Sequence, residues 1–127
     1  IQCTIRNHHD DGSTDLIEQF SFTNRGGLLG EIESLKRPCN YPMYKMMIDW
    51  NGDMLLCCND WAREEKGLGN IIKTPLTDLW NSDRLNSIRK SLINGDRAAI
   101  PACAKCDIDG CKGGNESAEL FKNKLLN

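Results

Sequence analysis

Four cysteines have the type and spacing needed to hold a metal centre: Cys39, Cys57, Cys103 and Cys106. The last two form a Cys-x-x-Cys pair, whose two intervening residues let both sulfurs turn towards one ion or cluster. Redox dithiols use the same spacing, but they follow a strand and begin a helix. Here a proline-containing stretch precedes the pair and a glycine-bearing loop follows it. We therefore interpret the pair as metal-ligating.

A predicted β-hairpin positions the other half of the set. Residues 44–50 and 53–58 have strand-like composition and are joined by Asn51-Gly52, which tolerates the positive φ angles of a type I′ turn. A two-residue turn would place Ile48 opposite Leu55. One face of the hairpin is then expected to carry Met46, Ile48, Leu55 and Cys57.

The hairpin also suggests how the sulfurs converge. Cys39 precedes the first strand and Cys57 ends the second, so both lie towards the open end, where Cys103 and Cys106 can join them. Four sulfur ligands suit either a 4Fe–4S cluster or tetrahedral zinc, and spacing does not separate the two. Because neighbouring strand residues point to opposite faces, Cys58 is expected to be a packed thiol. Cys111 could replace a ligand or cover the centre, but we expect it to be a loop bystander.

Helices are predicted only after the hairpin. Thr74 is the expected N-cap of a helix with Pro75 at its first position, and a second helix is expected over residues 83–94 between Ser82 and Gly95. A short terminal helix is predicted over residues 117–126. The expected fold is thus a small α+β domain, with a two-stranded antiparallel hairpin, two or three short helices and loops around one metal centre. Three tryptophans are expected to pack within it: Trp50, Trp61 and Trp80.

Composition narrows the class of protein. The chain has 127 residues, enough for one domain, and 39% of them are hydrophobic, so a bound centre would help a thin core to hold together. The net charge is -2 and the sequence shows no basic stripe, so nucleic-acid binding is not indicated. No apolar run is long enough for a membrane span. Seven cysteines, an odd number, favour metal ligation in a reducing, cytoplasmic setting over a disulfide scaffold. Because the chain begins with Ile1, we expect it to be a piece of a longer protein.

A set of short motifs resembles the SPASM and twitch domains, which are C-terminal extensions of radical SAM enzymes. That family places a cysteine 9–15 residues before Gly-x4-Cys, and here Cys39 is followed by twelve residues, Gly52, four residues and Cys57. Four further runs carry the resemblance: Pro38-Cys39-Asn40-Tyr41-Pro42, Leu68-Gly69-Asn70-Ile71, Leu76-Thr77-Asp78-Leu79-Trp80-Asn81-Ser82 and Cys103-Ala104-Lys105-Cys106. The similarity covers about residues 38–111.

The resemblance implies a cofactor and a ligand set. Full SPASM domains continue after Cys-x-x-Cys with further cysteines for a second cluster, whereas here only Cys111 follows, after four residues. The chain therefore resembles the one-cluster form, with one auxiliary 4Fe–4S cluster bound by Cys39, Cys57, Cys103 and Cys106. Four cationic residues flank these positions: Lys36, Arg37, Lys105 and Lys112. They could offset the negative charge of a cluster, or they could be ordinary surface residues.

The resemblance also implies partners. We expect residues 38–127 to be the cluster-binding domain and residues 1–37 to be an N-terminal segment, the linker or edge after a radical SAM barrel. S-adenosylmethionine would bind only in that barrel, in cis or in trans, because these residues contain no Cys-x3-Cys-x2-Cys motif. The cluster would serve electron transfer or substrate positioning, with a peptide or small molecule as substrate. The alternative is a structural zinc module that docks a partner protein.

Overall fold

The computed structural model describes residues 23–30 and 32–127. Over this part the chain forms a two-stranded antiparallel sheet with helices before and after it, the small α+β architecture expected from the sequence. In chain order the elements are a 3-10 turn Arg25–Gly27, α1 Tyr41–Tyr44, β1 Met47–Ile48, β2 Met54–Leu55, α2 Leu76–Trp80, α3 Asp83–Ile93, α4 Pro101–Ala104 and α5 Asn115–Leu126. None of these helices is long and apolar enough to cross a bilayer.

The predicted hairpin is present, but its predicted register is wrong by one residue. Ile48 pairs with Met54, and Leu55 pairs with Met47. The loop contains three residues: the Gly52 amide donates to the Asp49 carbonyl (2.9 Å), and Gly52 has a φ of +86°. A type I turn followed by a left-handed glycine is the usual three-residue alternative to type I′.

The shifted register changes which side chains face the core. Met54 and Leu56 are buried, with Ile48 packed against them, whereas Leu55 is only half-buried. A slip of one residue exchanges the two faces of a strand. Cys57 therefore does not share the Ile48 face as expected. Trp50, predicted to pack, lies at the turn and is 90% exposed.

The helices follow the expected order with shifted ends. Helix α3 matches its prediction to within one residue: the Ser82 side chain accepts from the Leu85 amide, and Gly95, with a φ of +77°, follows the helix. Helix α2 begins one residue later than expected, with Pro75 rather than Thr74 as its N-cap. The terminal helix α5 begins two residues earlier than predicted. The single-turn helices α1 and α4 were not predicted.

The core lies between α3 and the elements that carry the cysteines. Helix α3 packs against α1 and α5 and buries Leu85, Ile88 and Leu92. The same apolar cluster includes Cys39 and Cys103, so two of the candidate ligands are also core residues. Trp80 packs against this cluster as expected, whereas Trp61 is largely exposed. A thin core thus forms one wall of the candidate site.

The described part of the N-terminal segment lies against the Cys-x-x-Cys loop. The buried Asn24 side chain donates to the carbonyls of Gly30 (2.9 Å) and Lys105 (2.6 Å) and accepts from the Asp107 amide (3.2 Å). The Asn24 amide donates to the Asp107 carboxylate (2.8 Å). Asn24 therefore ties residues 24–30 to the loop around Cys106. Cys3 lies outside the described residues.

Candidate metal centre

Three chain segments bring the four candidate cysteines together. Cys39 lies in extended chain between helix α3 and the loop after Cys106. The Cys39 amide donates to the Leu92 carbonyl (3.3 Å). The Asn40 amide donates to the Gly110 carbonyl (2.9 Å). Cys57 follows β2. Cys103 lies on α4, and Cys106 is the second residue after that helix ends.

The thiols of the four cysteines interact electrostatically with one another. Burial raises the pKa of Cys39, Cys103 and Cys106, and raises that of Cys57 to about 12. Repulsion adds to this effect: Cys57 and Cys39 raise the pKa of Cys103, and the neighbouring Cys58, followed by Cys39 and Cys106, raises that of Cys57. Such mutual effects require the sulfurs to lie near one another in a poorly solvated place.

Backbone amides supply donors to three of the sulfurs. The Asn59 amide donates to Cys57 Sγ (3.4 Å). A backbone hydrogen bond from Tyr41 lowers the pKa of Cys39, and one from Ile108 lowers that of Cys106. In each case the donor is two residues after the cysteine. Amides aimed at sulfur favour the thiolate, the form that binds metals.

A glycine lets the backbone approach Cys39 closely. A Cβ at Gly110 would lie 2.5 Å from Cys39 Sγ and 2.9 Å from Cys39 Cβ. Gly110 also has a φ of +77°, in the left-handed region that favours glycine. The loop after Cys106 can therefore lie directly over the Cys39 thiol only because this position lacks a side chain.

A buried arginine joins two of the cysteine segments. Arg97 is 2% exposed and lies between α3 and α4. It lowers the pKa of Cys39, Cys103 and Cys106, opposing the effect of burial. Sequence reasoning considered the cations beside the cysteines and overlooked this one. An arginine directly before the apolar stretch 98–102 was the available signal.

The two remaining described cysteines differ from the set of four. Cys58 is exposed, so the prediction of a packed thiol is wrong, because the chain turns after Leu56 and the strand alternation ends there. Cys111 is half-buried and its Sγ donates to the Pro38 carbonyl (3.2 Å). All six cysteines of the described part are free thiols.

The described residues contain no group of three His, Cys, Asp or Glu side chains gathered closely enough for one metal ion. A close group of this kind is needed for a single shared ion, whereas in a cubane cluster each thiolate binds a different iron atom. The donor set of four largely buried thiols, three with amide donors, fits an iron–sulfur cluster in its chemistry.

An open cleft of about 490 Å³ is bordered by the loop that follows Cys106. Its walls include Asp107, next to Cys106, and Gly110, which covers the Cys39 thiol. Tyr41 and Tyr44 form another wall, with stacked rings whose centroids are 5.9 Å apart. The cleft therefore offers aromatic and charged groups beside the candidate centre.

Two comparisons with known proteins found sequences similar to this chain. The sequence model of SPASM, an iron–sulfur cluster-binding domain, matches residues 39–107. Over 88 residues, 67% of this chain, the sequence is 30% identical to the S-adenosyl-L-methionine-dependent 2-deoxy-scyllo-inosamine dehydrogenase of Niallia circulans. The match covers 35% of that enzyme, so this chain spans about a third of its relative's length. No solved structure matches the chain. Since the family match covers more than half of its residues, the chain belongs to the SPASM family of iron–sulfur cluster-binding domains.

Proposed function

We propose that this chain is the auxiliary cluster domain of a radical SAM enzyme and binds one 4Fe–4S cluster. The ligands in this proposal are Cys39, Cys57, Cys103 and Cys106. The observation that carries it is the convergence of these four thiols in a poorly solvated place, where they raise one another's pKa. Buried thiols of this kind become thiolates readily only when a metal centre takes the place of their protons.

The surrounding residues suit a site that holds a cluster away from water. Cys103 is buried on the core side of α4, and the Gly110 backbone lies over Cys39. Amide donors to sulfur and burial are two of the means by which proteins set the potential of an iron–sulfur cluster. When bound, the cluster would supply one-electron redox chemistry. Because four cysteines provide one ligand for each iron, we favour electron transfer over direct binding of substrate to iron.

Substrate positioning is the second role that the geometry supports. The cleft beside the cysteines has a volume within the usual range for small-molecule sites and is lined by Tyr41, Tyr44 and Asp107. The aromatic rings offer apolar faces, and the carboxylate offers a hydrogen-bond acceptor. A small molecule or a peptide segment held there would lie beside the cluster.

The rest of the enzyme is part of the proposal. The relative is named as an S-adenosyl-L-methionine-dependent dehydrogenase, so we propose an oxidoreductase as the parent. S-adenosylmethionine would bind to a radical SAM barrel outside these 127 residues, joined in cis or acting in trans. Residues 1–37 would connect to that barrel and residues 38–127 would hold the cluster. Six free thiols in the described part suit a reducing cytoplasm.

Anaerobic reconstitution of the chain with iron and sulfide tests the proposal. We expect about four irons and four sulfides per chain, a brown colour, and an electron paramagnetic resonance signal after reduction that is typical of a cubane. A colourless chain that keeps one tightly bound zinc under the same conditions would instead support the zinc module and reject the proposal.

Neighbouring cysteines provide a matched control. Cys57→Ser removes a proposed ligand, and Cys58→Ser removes the exposed thiol beside it. The first variant should bind far less iron than wild type, and the second should bind as much as wild type. Equal iron content in the two variants would contradict the ligand assignment.

A further inference from the structure

Arg97 makes an unusual set of contacts for a single side chain. Its Nε donates to the Arg37 carbonyl (2.9 Å), and its Nη2 donates to the Pro38 carbonyl (2.8 Å). On the other side, its Nη1 donates to the Ile108 carbonyl (2.6 Å), and its Nη2 also donates to the Asp109 carbonyl (2.7 Å). One guanidinium therefore holds the segment that leads into Cys39 and the loop that leaves Cys106.

The charge of Arg97 has no acidic partner within the part of the chain that the structure describes. All four of its hydrogen bonds go to backbone carbonyls, and no carboxylate of these residues forms an ion pair with it. A buried charge without a counter-charge is costly. The carbonyls that Arg97 contacts belong to residues one to three positions from Cys39 or Cys106, so this charge lies beside two of the proposed ligand segments.

We propose that Arg97 is a positioning residue for the cluster, with two separable effects. Its fork of hydrogen bonds fixes the spacing between the Cys39 segment and the Cys106 loop, and its charge raises the reduction potential of the bound cluster. The inference rests on the proposed function, because it requires a cluster on these cysteines.

Both effects follow from elementary electrostatics and geometry. A cluster with four thiolates carries net negative charge, which increases on reduction, so a buried cation favours the reduced form. Only a planar guanidinium presents five donors in a fixed fork, whereas a lysine ammonium is a point charge with three. Lysine at position 97 can therefore keep the charge but cannot replace all four contacts.

The test compares Arg97→Gln and Arg97→Lys with wild type, using the whole chain after anaerobic reconstitution. The reduction potential is measured by titration monitored by electron paramagnetic resonance, and cluster retention by the rate of iron release to a chelator. Arg97→Gln should shift the potential to more negative values. Arg97→Lys should keep the wild-type potential but release iron about 10- to 100-fold faster, matching the loss of metal affinity typical of removing an outer-shell partner.

Arg89 offers a matched control. It is fully buried, donates to the Pro42 carbonyl (2.9 Å), and lies over the rings of Trp80 and Phe121. Arg89→Gln should lower the temperature of unfolding and leave the potential of the reconstituted cluster unchanged. If the potential changed through a general loss of packing rather than through the lost charge, it would shift in both Arg97→Gln and Arg89→Gln.

Each outcome decides a separate question. A wild-type chain that binds no iron–sulfur cluster rejects the proposed function itself. A wild-type chain that binds one, with an unchanged potential in Arg97→Gln, rejects the charge effect. If Arg97→Gln does not fold, Arg97→Lys decides the positioning effect, because iron release at the wild-type rate would overturn it.

Discussion

Gly110→Ala is the change whose effect on the centre follows most directly from the structure. The new Cβ would lie 2.5 Å from Cys39 Sγ and 2.9 Å from Cys39 Cβ, closer than such atoms approach in proteins. A left-handed conformation costs alanine about 1–2 kcal/mol, and forcing extra volume into a packed site costs about 1–3 kcal/mol. We expect the variant to lose about 2–5 kcal/mol of unfolding free energy and much of its iron.

Two other glycines separate the causes of that loss. Gly67 also has a positive φ, +78°, but a Cβ there meets nothing within 4 Å, so Gly67→Ala should show the backbone cost alone. Gly113 lies near Gly110, and its Cβ would meet Tyr44 at an ordinary 3.4 Å, so Gly113→Ala should resemble wild type. Urea unfolding of the reduced apoproteins and iron content after reconstitution measure both effects. A Gly110→Ala chain that matches Gly67→Ala in both would refute the close approach of this loop to Cys39.

Three further predictions concern the thiols and the loop that holds them. Cys103→Ser should lose most of the iron bound after reconstitution, whereas Cys58→Ser should retain it, and equal retention would exclude Cys103 as a ligand. The pKa of Cys57 is raised from 9.0 to about 12 in the folded chain, so the folded state holds its proton longer than the unfolded state. The contribution of this thiol to the unfolding free energy of the reduced apoprotein should therefore be constant below pH 8 and fall by about 1.4 kcal/mol per pH unit between pH 9 and about 12. Urea titrations that show stability rising over this range would contradict this sign. Asn24→Ala should destabilise the chain by about 1–3 kcal/mol in thermal unfolding through loss of its buried hydrogen bonds, with the exposed Asn123→Ala as a near-neutral control.

Local signals predicted the elements whose chemistry is local. Ser82 and Gly95 mark the ends of α3 because capping and a left-handed C-terminal residue depend on nearby backbone alone. The hairpin was predicted for the same reason. Its register was not, because Asn51-Gly52 suits both a two-residue and a three-residue loop. Only the three-residue loop is consistent with the packing of Met54 and Leu56 into the core.

For this protein, the sequence alone determined the spacing of Cys39, Gly52, Cys57 and the Cys-x-x-Cys pair, and with it the family and the class of cofactor. Those features depend on residue type and on distance along the chain. Only the tertiary structure revealed that Arg97 joins two of the cysteine segments and that Gly110 lies against Cys39. The longest-range of these contacts, Arg97 with Arg37 and Gly110 with Cys39, connect residues 60 or more positions apart, and no local preference of the chain encodes them.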